Sequence, residues 1–408
     1  MLFKRERYLK KIRPFYAADD IIKVITGVRR CGKSSLMEMI IDEIKEAGAA
    51  EENIIYLDLD TRCNRKIKTA DQLEELIESK IKNSGMNYLF IDEVQNVAGF
   101  EEVINGFRTD GGVSIFITGS NSYLLSGELV TKLTGRYLEF ELFTLTFDEY
   151  VQMKQFYGKA VDPNLLVELN KYILDGGFPR TVRIDDTSAK KTYAAGVISE
   201  IFEKDIRRRV KIKDKTAFDS VIAFLINNFG ATMSIKSLTE ALEKSGLCIT
   251  RLTVARYIKA LLDAKILYEC NRFDMKSKKA LSGEKKYYLA DLSFYFAQNT
   301  DNRINYGPVL ENILYIYSRS LDYSVSVGRI GKLECDFILR STESEYSYVQ
   351  VAYTIMQSEE TENREYRPLE GINDNYPKYV ATTDYMIQKR NGIKHINLMD
   401  FILNESRF

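Results

Sequence analysis

The sequence predicts an α/β protein whose N-terminal part is built on a parallel sheet, and two observations carry this prediction. The first apolar run, IIKVIT at 21–26, is rich in β-branched residues, as are strands buried on both faces of a parallel sheet. A segment with helical apolar spacing, SLMEMIIDEIKEAG at 35–48, follows it, so strand and helix alternate. Further strand-like runs lie at 53–60, 87–95, 113–122 and 137–145.

Length and composition indicate a globular protein of two or three domains. The chain has 408 residues, of which 45% are hydrophobic and 28% charged. Fifty-eight basic residues balance fifty-eight acidic ones, so only local patches would attract nucleic acid or an anionic membrane. No run reaches the roughly 18 to 20 apolar residues that span a bilayer, and the N-terminus lacks the apolar core of a signal peptide. We therefore expect no membrane partner and a cytoplasmic protein.

Cysteine and histidine usage excludes several kinds of chemistry. The five cysteines are scattered and never spaced as CxxC, which supports neither a disulfide framework nor a thiolate zinc site. His395 is the only histidine, which excludes Ser-His-Asp, Cys-His and histidine-metal sites. Catalysis must then depend on carboxylates, lysine, arginine or a cofactor.

The segment between the first strand and the first helix predicts a phosphate-binding loop. Its spacing, Gly27-x4-Gly32-Lys33-Ser34, fits GxxxxGK[ST] at every fixed position. The glycines let backbone N–H groups turn towards an anion, and the helix N-terminus adds a partial positive charge. We expect Lys33 to reach the β- and γ-phosphates of the nucleotide and the Ser34 hydroxyl to ligate Mg²⁺. The predicted nucleotide-binding residues are Gly27, Val28, Arg29, Arg30, Cys31, Gly32, Lys33, Ser34, Ser35 and Asp92.

Two adjacent carboxylates end the third run, NYLFIDEVQ at 87–95, where a buried strand should emerge. This is a Walker B pattern. Asp92 is expected to hold Mg²⁺ through a water molecule, and Glu93 to orient and deprotonate the water that attacks the γ-phosphate. The pair predicts a hydrolase rather than a mere nucleotide binder.

The last two runs supply two more catalytic candidates. The run at 113–122 ends in the polar residues Thr118, Ser120 and Asn121, and we assign Asn121 as the sensor of the water or the γ-phosphate. The alternative is a polar loop without that role. Arg136 precedes the fifth run and is a candidate for stabilising transition-state charge, in its own subunit or in a neighbour's. The alternative is an ordinary surface arginine.

Together these motifs resemble AAA-type ATPases of bacteria and archaea whose C-terminal half carries a winged helix and a restriction-endonuclease-like domain. The resemblance implies a five-stranded AAA+ core with helices on both faces, a helical lid, and ATP as the nucleotide. It extends over almost the whole chain. The motifs that carry it are ITGVRRCGKSSL, YLFIDEVQ, ITGSNS, LTGRYLEFELFTLTFDEY, GGFPR and IFEKDIRRR.

The remaining chain divides by pattern into three parts. Residues 147–215 read as helical with no strand pattern, which suits a lid. Within them, the basic run with Arg207–Arg209 is either a solvated helix or a contact to phosphates or to an adjacent subunit's nucleotide. The predicted domains are 1–146 for the ATPase core, 147–215 for the lid, 216–300 for a winged helix-turn-helix and 301–408 for the nuclease-like domain.

Residues 216–300 show three helical patterns followed by two β-like runs around the lysine-rich segment MKSKKALSGEKK. This order predicts a winged helix that binds DNA. The alternative is a packing module whose lysines are merely solvated. The candidate DNA contacts are Arg251, Arg256 and Lys259 on the third helix and Lys276, Lys278, Lys279, Lys285 and Lys286 in the wing.

The last hundred residues read as helix, three strands, helix and strand, an order that resembles the PD-(D/E)xK nuclease core. In active members, an acid on the helix, an aspartate on one strand and (D/E)-x-Lys on the next strand gather a divalent metal. Glu311 and Asp336 occupy the first two places here, but the third reads Gln350-Val351-Ala352. Since the catalytic lysine is absent, we expect no nuclease activity.

Three functions are consistent with these patterns: an ATP-driven machine acting on nucleic acid, an ATP-regulated switch that binds a protein partner, and an ATP-gated nuclease. The missing lysine disfavours the nuclease, and we prefer the machine that acts on DNA. An arginine that acts on a neighbour's nucleotide would require a homo-oligomer, commonly a ring in this superfamily.

Overall fold

The computed structural model describes residues 2–82, 84–119, 133, 135–207, 210, 212, 214–277, 279–299 and 303–408. The chain divides into two compact units. The first comprises Met1–Phe143 with Asp263–Lys265, and the second comprises Thr144–Leu262 with Ile266–Phe408.

The first unit contains a five-stranded, all-parallel sheet with the strand order β2-β3-β4-β1-β5. The predicted parallel sheet of five strands is therefore confirmed, and each predicted run contains one strand. The strands are β1 (Ile22–Thr26), β2 (Ile54–Asp58), β3 (Asn87–Asp92), β4 (Val113–Thr118) and β5 (Tyr137–Glu141).

The order of these strands decides which loops meet. Parallel strands have their carboxyl ends at one edge of the sheet, and β4 lies between β1 and β3. The segments that follow β1, β3 and β4 are therefore neighbours. The described helices of this unit are α1 (Glu6–Ile12), α2 (Lys33–Glu46), α3 (Ala70–Glu78) and α4 (Phe100–Asp110).

Every residue of β1 and β4 is buried, so these central strands are covered on both faces. A continuous core joins the strands to the neighbouring helices, with Val24, Leu89 and Phe100 among its fully buried members. The lysine of β1, Lys23, is also fully buried, an exception that matters below.

The second unit combines ten described helices with a nine-stranded sheet. The helices are α5 (Phe147–Phe156), α6 (Leu165–Asp175), α7 (Thr187–Ile201), α8 (Lys215–Asn227), α9 (Ile235–Lys244), α10 (Arg251–Asp263), α11 (Ser293–Gln298), α12 (Tyr306–Ser320), α13 (Glu359–Glu370) and α14 (Leu398–Leu403). No helix in the described part of the chain is long and apolar enough to cross a membrane.

The GGFPR motif at 176–180 joins the helical part of this unit to the segment after its β-hairpin. The Gly177 amide donates a hydrogen bond to the Asp291 carboxylate at 2.8 Å. A Cβ atom at Gly176, where φ is +74°, would lie 2.1 Å from the same carboxylate. The glycines are therefore required by close packing within the unit.

The nine-stranded sheet corrects the predicted separation at 300/301. Strand β7, from the predicted winged helix, pairs in parallel with β9, from the nuclease-like part, with Arg272 opposite Val327. Strands β13 and β14 were missed by the sequence analysis because they are short and interrupted by polar residues. The strands are β6 (Thr232–Met233), β7 (Leu267–Asp274), β8 (Lys279–Leu289), β9 (Ser324–Ile330), β10 (Leu333–Arg340), β11 (Tyr346–Val351), β12 (Lys378–Thr382), β13 (Lys389–Arg390) and β14 (Ile393–Asn397).

Candidate nucleotide site and carboxylate cluster

The loop between β1 and α2 has the backbone geometry of a phosphate cradle. Positive φ values occur at Gly27 (+142°), Arg30 (+70°) and Gly32 (+108°), and these turns reverse the chain within a few residues. A Cβ atom at Gly27 would lie 2.1 Å from the Leu142 carbonyl oxygen, so no other residue fits there. Val28 and Cys31 are fully buried and anchor the loop. Burial also raises the pKa of the Cys31 thiol, which keeps it protonated and inert.

The N-terminus of α2 follows this cradle directly. Its N-cap is Gly32, which has no side chain to accept a hydrogen bond from the first amides of the helix, and the Lys33 amide donates to the Cys31 sulfur. Lys33 is the first residue of the helix, and its ammonium donates to the carbonyl oxygens of Gly27 (2.9 Å) and Val28 (3.5 Å). Both partners are uncharged, so a phosphate would bind this ammonium more strongly than they do. Ser34 follows on the exposed side of the first turn.

Asp92 ends β3 beside this loop and is held by two hydroxyl groups. Thr118, at the end of β4, donates to one carboxylate oxygen of Asp92, and Tyr56 of β2 donates to the other at 3.2 Å. The residue is only 3% exposed. Both oxygens are thus oriented by neighbouring strands, which preorganises the carboxylate. Burial and the nearby Asp92 charge raise the pKa of Tyr56.

Glu93 leaves the strand in a left-handed conformation, with φ +57° and ψ +46°. This region is uncommon for a residue with a side chain, and such strain concentrates at functional sites. It turns the Glu93 side chain away from the direction of Asp92. The Glu93 amide donates to the Thr118 hydroxyl at 3.2 Å, and its carboxylate accepts from the Gln95 amide. Two adjacent acids therefore have different surroundings, as two different roles require.

The position of Arg136 contradicts the alternative in which this residue acts on the nucleotide of its own subunit. Arg136 precedes β5, and its carbonyl accepts from the amide of Ile22 at the start of β1 (3.0 Å). It therefore lies at the amino edge of the sheet, whereas the phosphate loop follows the carboxyl edge. The five residues of β1 separate these edges by about 16 Å, so Arg136 does not reach the loop of its own subunit. The exposed guanidinium donates to Asn105 at 3.3 Å.

Sequence reasoning missed three residues at this site. Tyr56 was missed because a tyrosine in a strand usually signals core packing. Thr118 was noticed as polar but not as the bridge between Asp92 and Glu93. Arg5 is 3% exposed and donates to the carbonyls of Cys31 (3.3 Å) and Phe143 (2.8 Å), which clamps the loop from the N-terminal segment. Asn121, the predicted sensor, lies outside the described residues.

The candidate DNA contacts fall into two groups in the structure. Arg251, Arg256 and Lys259 lie on the exposed side of α10, as expected. In the predicted wing, Lys285 and Lys286 are not in a loop but in strand β8. Lys276 is exposed in the turn before β8, Lys279 begins β8, and Lys278 lies outside the described residues, as do Arg208 and Arg209.

The assignment of Lys286 as a DNA contact is wrong because the residue is buried. Successive side chains alternate across a strand, and Lys286 shares the inner face of β8 with Tyr288. Its ammonium lies 3.0 Å from a Glu311 oxygen and 3.0 Å from a Glu334 oxygen. Its neighbour Lys285 is partly exposed and pairs with Glu269 at 2.6 Å.

The three residues of the expected degenerate nuclease site are brought together in this same region. The Asp336 carboxylate lies 3.9 Å from the Lys286 ammonium and accepts the Val351 amide at 2.8 Å. The Gln350 side chain donates to Glu365 at 3.0 Å. Burial and the charge of Glu311 raise the pKa of Asp336 well above its usual range. The predicted juxtaposition of Glu311, Asp336 and Gln350 is thus present, with an additional lysine in its centre.

Comparison with known protein families finds matches to two segments of the chain. Residues 19–151 match the family described as AAA domain (AAA_14), and residues 166–303 match a domain of unknown function, DUF8612. An uncharacterized protein of Haemophilus influenzae is 35% identical over 98% of this chain and 99% of its own length. The uncharacterized protein MJ1544 of Methanocaldococcus jannaschii is 30% identical over 83% of this chain and 76% of its own length.

Among solved structures, the Walker-type ATPase PABY2304 of Pyrococcus abyssi is similar in fold, with a TM-score of 0.52. It is 16% identical and the match covers 72% of this chain and 95% of that one. The phosphate loop and the parallel sheet lie in the segment that matches the AAA domain, residues 19–151. The chain belongs to one family with the H. influenzae and M. jannaschii proteins, and its residues 19–151 form an AAA domain.

Proposed function

We propose that this protein hydrolyses ATP in a Mg²⁺-dependent reaction at the loop 27–34 and couples hydrolysis to nucleic-acid binding through the second unit. The observation that carries the catalytic part is the divergence of Asp92 and Glu93 at the end of β3. One carboxylate is held by two hydroxyls, and the next leaves the strand in another direction.

In this proposal the loop amides and the Lys33 ammonium bind the β- and γ-phosphates and stabilise charge that develops on them. Glu93 holds the attacking water and accepts its proton. Thr118, which contacts both acids, keeps them in register with β4. Arg5 fixes the loop through the carbonyl of Cys31.

The residues fit Mg²⁺ that is bound together with a nucleotide. In the described part of the chain, no three histidine, cysteine or acidic side chains form a metal site by themselves. Magnesium at nucleotide sites usually takes one or two protein oxygens and completes its shell with phosphates and water. The Ser34 hydroxyl and the Asp92 carboxylate supply such oxygens. When bound, the ion neutralises charge on the phosphates.

The nucleic-acid part of the proposal is supported by the order of elements from α8 to β8. Three helices and a hairpin follow one another as α8, β6, α9, α10, β7 and β8, and β6 pairs with β8. This is the order of a winged helix, in which the third helix contacts DNA. The exposed Arg251, Arg256 and Lys259 are on that helix and would contact phosphates.

A protein-binding switch is the second candidate, because Leu252 on the same helix is 81% exposed. A protein partner could pack against this apolar side chain, whereas a phosphate backbone could not. The two candidates predict different effects of DNA.

The test is the ATPase rate of the full chain with and without single- and double-stranded DNA, together with the mass in solution. If the protein is an ATP-driven machine that acts on DNA, it should bind DNA in a salt-sensitive way and hydrolyse ATP faster when DNA is present. The double variant R251A/R256A should then lower the affinity for DNA about tenfold or more. K171A, which removes an exposed lysine of α6, is the matched control. A basal rate that DNA does not change, with no salt-sensitive binding, would favour the switch. No Mg²⁺-dependent hydrolysis under any condition would contradict the catalytic proposal.

We also propose that Arg136 acts on the nucleotide of a neighbouring subunit in a homo-oligomer. Its support is the position of Arg136 at the far edge of the sheet, exposed and outside its own site. R136A and E93Q should each be inactive alone, and mixing them should restore part of the activity, because each subunit supplies what the other lacks. A monomer at working concentration, or mixtures without activity, would refute this role.

A further inference from the structure

The resemblance of residues 301–408 to a metal-dependent nuclease implies a divalent cation between Glu311 and Asp336. The described residues do not fit one. The ammonium of Lys286, on strand β8, lies among the carboxylates of Glu311, Glu334 and Asp336. Its side chain is 6% exposed, so it is not a surface lysine that happens to lie nearby.

The contacts around Lys286 leave little room for a second cation. Glu311 also accepts the Tyr288 hydroxyl at 2.8 Å, and Glu334 also pairs with Arg272 at 2.8 Å. One Asp336 oxygen accepts a backbone amide. The amide of Gln350, which stands where active nucleases carry an acid, adds no charge.

The charges of the cluster show what Lys286 contributes. When ionised, Glu311, Glu334 and Asp336 carry three negative charges, and the one positive charge of Arg272 is shared between Glu334 and the exposed Glu284. Without Lys286, at least two negative charges would remain uncompensated in a buried site. Such a site is strongly unfavourable unless a cation binds there or protons are taken up. Two negative charges are the complement of one divalent cation.

We propose that the Lys286 ammonium occupies the place of a divalent cation in this protein, so that the cluster is a latent metal site which Lys286 closes. The domain then keeps the acid arrangement of a nuclease but is stabilised without a metal. The class of ligand that the opened site would take is a divalent cation with oxygen ligands, for which Mn²⁺ is a convenient probe.

The test uses the full chain, free of nucleotide, in a D92N background that removes the metal ligand of the ATP site. Adding K286M should create Mn²⁺ binding that is at least tenfold tighter than in the parent, measured by calorimetry and by the paramagnetic signal of free Mn²⁺. At 1 mM Mn²⁺ the Tm of K286M should rise by on the order of 5 °C over its value in EDTA. Adding D336N to K286M should abolish both effects.

The matched control is K285M, since Lys285 is adjacent on β8 but pairs outside the cluster with Glu269. K285M should bind no additional Mn²⁺. If K286M takes up no more Mn²⁺ than the parent, or if K285M gains as much as K286M, the proposal is wrong.

A comparison that leaves Lys286 in place decides the question if K286M does not fold. The parent and its D336N variant should bind the same amount of Mn²⁺, and the Tm of each protein should be the same in Mn²⁺ as in EDTA. Mn²⁺ binding by the parent that D336N removes would show that Lys286 does not close the site, and the proposal would fail.

Discussion

Lys33 begins helix α2 and Lys286 lies in strand β8, and the structure gives the ammonium groups of these two lysines different partners. Lys33 is partly buried, and its hydrogen bonds go to two neutral carbonyls of the phosphate loop. Lys286 is buried among three carboxylates. The comparison teaches that the partners of a lysine decide whether its ammonium is available to a ligand.

A third lysine completes the comparison. Lys23 of β1 is fully buried, and its ammonium donates to the carbonyls of Ala18 and Ile21 and to the Ser114 hydroxyl. None of these acceptors is charged. Burial lowers the pKa of Lys23 to about 7, although Asp20 and Asp19 oppose the shift. For Lys286, burial also lowers the pKa, but Glu311, Asp336 and Glu334 together raise it above the usual value. Two buried lysines thus have pKa values shifted in opposite directions.

The largest expected effect is that of removing the available lysine. K33A should weaken ATP binding by roughly 100-fold and abolish hydrolysis, because charge-assisted bonds to two phosphates are lost. Binding is measured by calorimetry with Mg²⁺ and ATP, and hydrolysis by phosphate release. K45A, an exposed lysine on the same helix, should leave both unchanged. If K33A binds ATP as tightly as the parent, Lys33 does not bind the nucleotide, and its contrast with Lys286 is lost.

The next largest effect is expected on the hydrolysis rate, from a change in the acid pair Asp92 and Glu93. E93Q should lower the hydrolysis rate by roughly 100- to 1,000-fold while ATP affinity stays within a few-fold, because the amide no longer accepts a proton. The measurements are single-turnover hydrolysis and nucleotide titration of the same preparation. E74Q, an exposed glutamate on α3, serves as control. Hydrolysis by E93Q at the parental rate would move the role of base to another residue.

A smaller effect, on stability and nucleotide affinity, is expected from a substitution in the phosphate loop, whose carbonyls accept hydrogen bonds from Lys33. G27A should destabilise the first unit by about 2–4 kcal/mol and lower nucleotide affinity, since its Cβ would lie 2.1 Å from the Leu142 oxygen. Gly48 also has positive φ, but no atom lies within 4 Å of its Cβ position. G48A should therefore cost only about 1–2 kcal/mol, measured by denaturant unfolding. Equal losses would show that strain, not the close approach, matters at Gly27.

The smallest effect concerns Lys23 and the dependence of stability on pH. The unfolded chain keeps this proton up to about pH 10.5, whereas the folded chain releases it near pH 7. The unfolded state therefore binds more protons between these values, and stability rises with pH through this window. Between pH 7.5 and 9 the parent should gain about 2 kcal/mol relative to K23M, measured by denaturant unfolding.

K45M, which alters an exposed lysine, should follow the parent curve in that experiment. If the free energies of unfolding of the parent and K23M run parallel with pH, the three neutral acceptors keep Lys23 charged despite its burial. The contrast between neutral and charged partners would then be weaker than the structure indicates.

The sequence predicted the sheet of the first unit and the local parts of the nucleotide site because these depend on short-range patterns. Each apolar run became a strand, and the glycine spacing at 27–32 became a loop with positive φ. The roles of Ser34, Asp92 and Glu93 remain predictions that the geometry supports. The sequence could not show that Tyr56 and Thr118 both hold Asp92, since these residues are 36 and 26 positions away from it.

The amino-acid order by itself determined the P-loop, the acid pair and the five strands, since all of these are written in neighbouring residues. Tertiary structure alone decided that Arg136 lies at the edge of the sheet opposite its own phosphate loop. It also decided that Lys286, one residue from a partly exposed lysine, is buried between acids from α12 and β10. The physical reason is that strand order and the alternation of side chains set which charges meet, and both are fixed only when distant segments pair.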